Sequence, residues 1–229
     1  MLHRFWRAGL ALISSPRCPV CRAATAESLP LCLPCQQRLG LVEGGLLGDE
    51  PLLWCALGAY AGELRQLLLR QRPTPRPDLI RALAVQLHHC CAGALPPGCL
   101  LVPIPGWKRS ANPLPQLLAC GLAQAAGSRG QLAPQLLQRR RATVGQHHLD
   151  RRQRLGNQQG SFCCAAATHP APVWLVDDIL TTGATALAAA AVLESAGWPV
   201  QGLLCLGRTP PGGARRDLRS MGRQGDGPG

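Results

Sequence analysis

The sequence predicts an α/β fold, a mostly parallel sheet covered on both faces by helices, with a small cysteine-rich module in front of it. Three observations carry this. Short, largely apolar runs at Leu100–Pro105, Val173–Val176 and Val200–Leu206 alternate with longer helical stretches. Strands apolar on both faces belong to parallel sheets buried between helices. The run Val173–Val176 leads through two acids into a small-residue loop, Thr181-Thr182-Gly183-Ala184-Thr185, and then an alanine-rich helix, Ala186–Ala196. Finally, four cysteines near the N-terminus form two CxxC pairs ten residues apart.

At 229 residues and 46% hydrophobic content, the chain can bury the core of one α/β domain plus a small accessory unit. Aromatic residues make up 3%, so that core is built of Leu, Ala and Val. The formal net charge of +12 favours anionic partners: nucleotides, nucleic acid or an acidic membrane surface. The 12 cysteines do not look like a secreted disulfide framework. They are read as reduced thiols of a cytoplasmic protein.

In chain order, residues 1–15 carry Leu2, Phe5, Trp6, Leu10 and Ile13 at helical spacing with basic residues between. The run is too short to span a bilayer, so no transmembrane segment is expected. It reads as a docking helix or as one lying on a membrane surface, a peripheral contact. A signal peptide is set aside because the module behind it needs free thiols. Cys18-x-x-Cys21 and Cys32-x-x-Cys35 place four thiolates for a tetrahedral zinc ion. No His, Asp or Glu is needed to close the shell, so the site is structural.

Residues 40–51 read as a linker. A strand is expected at Trp54–Tyr60 and a helix at Leu64–Arg70, ended by the prolines of 72–77. Asp78 is read as the cap of a helix from Leu79 to about Cys91, with His88 and His89 favourable to its C-terminal dipole. Pro103 and Pro105 end the strand Leu100–Pro105 and start a loop, 103–113, followed by a helix, Leu114–Ala126. The stretch 138–162 carries six arginines and one acid. It reads as a solvated loop or as an arm over an anionic ligand, pyrophosphate or a nucleic-acid backbone. The organisation is thus residues 1–40, N-terminal helix and four-cysteine zinc module; 52–208, the α/β domain; and 209–229, a disordered basic tail.

The chemistry concentrates on Asp177, Asp178 and the loop after them. A helix N-terminus preceded by small residues accepts an anion, and threonine hydroxyls add donors. A phosphorylated sugar suits both parts, with acids for its hydroxyls and the loop for its phosphate. Asp177-Asp178-Ile-Leu-Thr181-Thr182-Gly183-Ala184-Thr185 resembles the signature of type I phosphoribosyltransferases. The resemblance implies that fold, with a zinc-ribbon-like module added. It also implies phosphoribosyl pyrophosphate (PRPP) on Asp177, Asp178, Thr181, Thr182, Gly183, Ala184 and Thr185. Asp177 and Asp178 would hold the ribose hydroxyls at the catalytic centre, with Mg²⁺ on the pyrophosphate.

The order of parts is similar to that of the ComF family. A CxxC…CxxC module is followed by Tyr60-Ala-Gly62, the Pro-Ile-Pro loop, Arg141-x-Thr143-x-x-Gln146, Arg154-x-x-Asn157 and then the Asp-Asp motif. That resemblance implies a role in DNA uptake during natural transformation, with single-stranded DNA and competence proteins as partners. Lys108, Arg109 and Asn112 fall in the family's pyrophosphate and acceptor loop. Its usual Arg-Gly-aromatic-Asn-Gln element reads Arg109-Ser-Ala-Asn112-Pro113 here, and the lysine expected near residue 70 is Arg70. Two functions follow: a transferase releasing pyrophosphate, or a non-catalytic module on the same fold that binds single-stranded DNA or the uptake machinery.

Overall fold

The computed structural model describes residues 16–26, 30–106, 112–140 and 161–210. The N-terminal helix (1–15), Lys108 and Arg109, most of the arginine arm (141–160) and the tail beyond 210 lie outside the described residues.

A short helix, α1 (Leu33–Arg38), closes the cysteine module. The chain then forms β1 (Leu41–Gly48), β2 (Trp54–Ala59), α2 (Gly62–Gln71) and α3 (Pro77–Cys91). After these come β3 (Cys99–Pro103), α4 (Leu114–Ala126) and the short strands β4 (Gly130–Leu132), β5 (Leu137–Arg139) and β6 (Phe162–Cys164). The last elements are β7 (Val173–Leu180), α5 (Ala184–Ser195) and β8 (Val200–Arg208). The main sheet has six strands in the order β1-β2-β8-β7-β3-β4. Only β1 is antiparallel to its neighbour; the other pairings are parallel. The fold is therefore α/β with a mostly parallel sheet. Strands β5 and β6 form a separate two-stranded ribbon.

Period-two alternation along the central strands divides the core into two. Trp174 and Val176 of β7, with Leu204 and Leu206 of β8, pack beneath α2, α3 and α4. Val173 and Leu175, with Leu203 and Cys205, face α5 and the ribbon, where Leu193, Phe162 and Leu137 meet them. Burial on both faces is why these strands read as unbroken apolar runs. Cys18, Leu31 and Cys35 are buried in the same cluster as α2 and α3, so the module is packed onto the domain. Arg38 Nε reaches Glu63 at 2.9 Å and Arg22 reaches Asp78 at 3.8 Å across that junction.

Several expectations are corrected. The segment read as a linker is mostly strand β1, whose register with β2 slips between Leu41 and Leu46. Helix α3 starts earlier than expected: Pro77 is its first residue, Arg76 precedes it, and Asp78 lies inside the first turn, accepting from Arg76 Nη2 at 2.7 Å. Strand β7 does not stop at Val176 but runs through both acids to Leu180. Among the described residues, no helix is long and apolar enough to cross a membrane.

Candidate functional site

The site follows from unequal strand lengths. β3 stops at Pro103, paired with Val176 of β7, and the last bond there runs from Ile104 N–H to the Val176 carbonyl at 2.9 Å. β7 continues four residues further, still paired with β8 through Leu180 and Arg208. Asp177–Leu180 therefore lose their neighbour on one side, at the carboxyl end of a parallel sheet, where ligands of such sheets bind. A cavity of about 380 Å³ opens there, within the size range of small-molecule sites.

Asp177, Asp178, Thr181 and Thr185 line it, with Asn112 at the start of α4. Thr182, Gly183 and Ala184 belong to the same loop but are not among its lining residues. Gly183 sits in the left-handed region (φ 80°) and is buried; a Cβ there would come 2.1 Å from Pro51 Cγ. Only glycine fits, because both the backbone angle and the space forbid a side chain. Asn112 Oδ1 accepts the Leu114 N–H at 3.2 Å, so it braces α4 as well as facing the cavity.

Asp178 is buried, its side chain 3% exposed, and its Oδ2 accepts from Arg72 Nε at 2.7 Å. Arg72 is 37% exposed and lines the cavity. Asp177 Oδ1 accepts the Asp178 backbone N–H at 2.8 Å. Desolvation, and then the neighbouring Asp178 charge, push the Asp177 carboxyl well above the usual carboxylate range. On another wall Arg139 Nε donates to the Pro105 carbonyl at 2.7 Å, and its guanidinium lies 4.7 Å from the centre of the Phe162 ring. Burial draws the Arg139 guanidinium down from its ordinary value, while the Asp177 charge acts the other way.

Arg72 and Arg208 are what sequence reasoning missed. Arg70, the expected counterpart of the family's lysine, points instead to Gln66 Oε1 at 3.3 Å on the exposed side of α2. Arg72 comes after the last turn of α2 and reaches an acid 106 positions away. Nothing in a run of arginines and prolines singles it out. Arg208, last in β8, donates through Nη1 to the carbonyls of Leu180 and Thr181. Its guanidinium lies 5.4 Å from the centre of the Trp54 ring.

The second centre is the cysteine module. The sulfurs of Cys18, Cys21, Cys32 and Cys35 lie within 4.8 Å of one another, Cys21 and Cys32 at 3.5 Å. Tetrahedral zinc with bonds of roughly 2.3 Å asks for sulfurs about 3.8 Å apart, so four thiolates here can hold a zinc ion. Burial opposes ionisation of Cys18, but backbone hydrogen bonds from Cys32, Cys21 and Val20 hold its thiol at about 6. One member of the set is thus ready to ionise at neutral pH. For Mg²⁺, the cavity offers hard oxygen donors from Asp177, Thr181 and Thr185. Asp178 Oδ2 is already engaged by Arg72.

Fold and site define an α/β protein with an acid pair and two threonines of the following segment on one cavity, and a four-cysteine module packed against α2 and α3. No family model matches the chain. It is 29% identical over 218 residues to the DNA utilization protein YhgH of Salmonella typhi, an alignment covering 89% of this chain and 95% of that one. The protein of the same name from Salmonella typhimurium is 28% identical over 227 residues, with the same shares covered. The chain also aligns with a hypoxanthine phosphoribosyltransferase from Staphylococcus aureus at 12% identity and TM-score 0.41, covering 57% of this chain and 64% of that one. An adenine phosphoribosyltransferase aligns at 18% identity and TM-score 0.34, covering 76% and 89%. At such scores the fold rests on the strand order of the chain itself.

Proposed function

We propose that this chain is a type I phosphoribosyltransferase-fold protein of the ComF type that binds PRPP, or a related ribose 5-phosphate ligand, and serves DNA uptake in the cytoplasm. The observation that carries the reading is Asp177, Asp178, Thr181 and Thr185 on one cavity. In it, the acids accept hydrogen bonds from the ribose hydroxyls. The threonine hydroxyls and the first N–H groups of α5 receive the 5′-phosphate, aided by the helix dipole. Arg72 and Arg139 meet the remaining anionic oxygens. Mg²⁺, when bound, neutralises the pyrophosphate. If the protein turns over, loss of pyrophosphate leaves positive charge at the ribose, which nearby carboxylates stabilise.

A second reading is a non-catalytic module that binds single-stranded DNA or competence proteins. The similarity to DNA utilization proteins and the net charge of +12 favour it. A thermal-shift comparison of PRPP with Mg²⁺ against single-stranded DNA separates the two, since each ligand raises the melting temperature only if it binds the native state. Stabilisation by DNA alone would reject the PRPP reading.

A further inference from the structure

One member of the acid pair, Asp178, has a cation beside it without a metal. Asp178 is nearly sealed from solvent with Arg72 in place, while Mg²⁺ keeps several of its waters and needs open access. Its Oδ2 is held by Arg72 Nε in a charge-assisted bond at 2.7 Å. Arg72 remains partly exposed and lines the cavity beside Asp178, so it can bond the carboxylate and a ligand oxygen at once. Its guanidinium has five N–H donors. Among the described residues, its side-chain hydrogen bond is to Asp178. Arg139 lines the same cavity. Two guanidiniums therefore share the cavity with two carboxylates, and a dianionic phosphate ester entering it meets no net negative charge.

We propose that Arg72 is the resident cation of the ribose subsite, so that a ribose 5-phosphate ligand binds there without a divalent metal and Mg²⁺ is needed only where a pyrophosphate is present. This rests on the reading of the cavity as a ribose 5-phosphate site. Arginine suits the part because it stays charged at any working pH and can bond an acid and an anion at once.

The test is calorimetric titration of ribose 5-phosphate into the full chain, in buffer freed of divalent cations on a chelating resin and again with Mg²⁺. A soluble chelator is avoided because it competes for zinc at the four cysteines. The wild-type affinity should agree within about twofold between the two buffers. Arg72→Gln should lose about tenfold or more without Mg²⁺ and recover most of it with Mg²⁺, a tenfold change being about 1.4 kcal/mol. Arg72→Lys keeps the charge and should stay independent of metal. Wild-type binding that requires Mg²⁺ overturns the inference. So does an Arg72→Gln variant that binds as well as wild type without metal, or a loss that Mg²⁺ does not restore. If Arg72→Gln does not fold, the wild-type pair of titrations and Arg72→Lys still decide. Wild type that binds in neither buffer removes the ribose 5-phosphate reading itself, a separate failure.

Discussion

Gly183→Ala is the sharpest test of how the loop is built. Two costs can be separated. The first is backbone: an L-residue held in the left-handed region (here φ 80°) costs about 1–2 kcal/mol. The second is space. A Cβ would lie 2.1 Å from Pro51 Cγ and 2.9 Å from Pro51 Cδ, whereas real Cβ contacts stay above 3.0 Å, so Pro51 must retreat about 0.9 Å. Overpacking of this kind costs about 1–3 kcal/mol. The sum is about 2–5 kcal/mol, or roughly 5–15 °C in melting temperature for a chain of this size. Pro51→Ala removes Cγ and Cδ and leaves only Cβ, at an ordinary 3.4 Å. In that background Gly183→Ala should cost only the backbone share, about 1–2 kcal/mol. Urea unfolding of the four proteins of this double-mutant cycle gives the coupling directly. An equal cost in both backgrounds would refute Pro51 as the obstacle. A cost below about 0.5 kcal/mol in wild type would refute the loop geometry as a whole.

Three further outcomes are expected. Protein purified under reducing conditions should carry about one zinc per chain, and Cys32→Ser should lose it, as metal analysis by mass spectrometry will tell; a wild type without zinc removes the module's assignment. Asp177 titrates above the ordinary range, so the native state binds its proton more tightly than the unfolded one. The stability this gives is present below the ordinary carboxylate value of about 3.9 and is lost as pH rises through the raised one. Asp177→Asn should accordingly stabilise near neutral pH, with the gain shrinking towards about pH 4; urea melts at both pH values check it, and a pH-independent difference would count against a raised carboxyl. Last, Arg140/Arg141→Ala should weaken binding of single-stranded DNA and flatten its salt dependence, read by fluorescence anisotropy, because fewer phosphate contacts release fewer counterions. Arg139 is left in place because it braces Pro105. Unchanged binding excludes this start of the arm as the contact.

The parts legible in the sequence were those fixed by local pattern. Apolar runs buried on both sides announced β3, β7 and β8, and CxxC spacing announced the four cysteines that the fold brings together. The turn after β7 was legible because a glycine among small residues ends the strand and starts α5, and Gly183 takes the left-handed conformation there. What stayed hidden was set by distance along the chain. β1 contains Glu43, Gly44 and Gly45, both glycines with positive φ, and its pairing is irregular, so it carries no alternation to read. Strands of three residues, β4 to β6, are too short for any period to show. The sequence also left the two acids uncompensated, with repulsion between them to relieve. Arg72 compensates Asp178 from a different segment, a fact that only the folded chain contains.

Arg208 has a consequence for the direction in which the loop works. A trans peptide unit sets its carbonyl and the next residue's N–H on opposite sides. Arg208 draws the carbonyls of Leu180 and Thr181 back towards β8, and Thr209 N–H also takes the Leu180 carbonyl at 2.9 Å. The N–H groups of Thr181 and Thr182 are thereby turned away from β8, and Thr181 lines the cavity on the side where β3 has ended. A half-buried cation at the end of the neighbouring strand thus works as a rudder. It is not among the residues that line the cavity. Yet it decides which way the two peptide dipoles point, and the turn after β7 is set from the neighbouring strand.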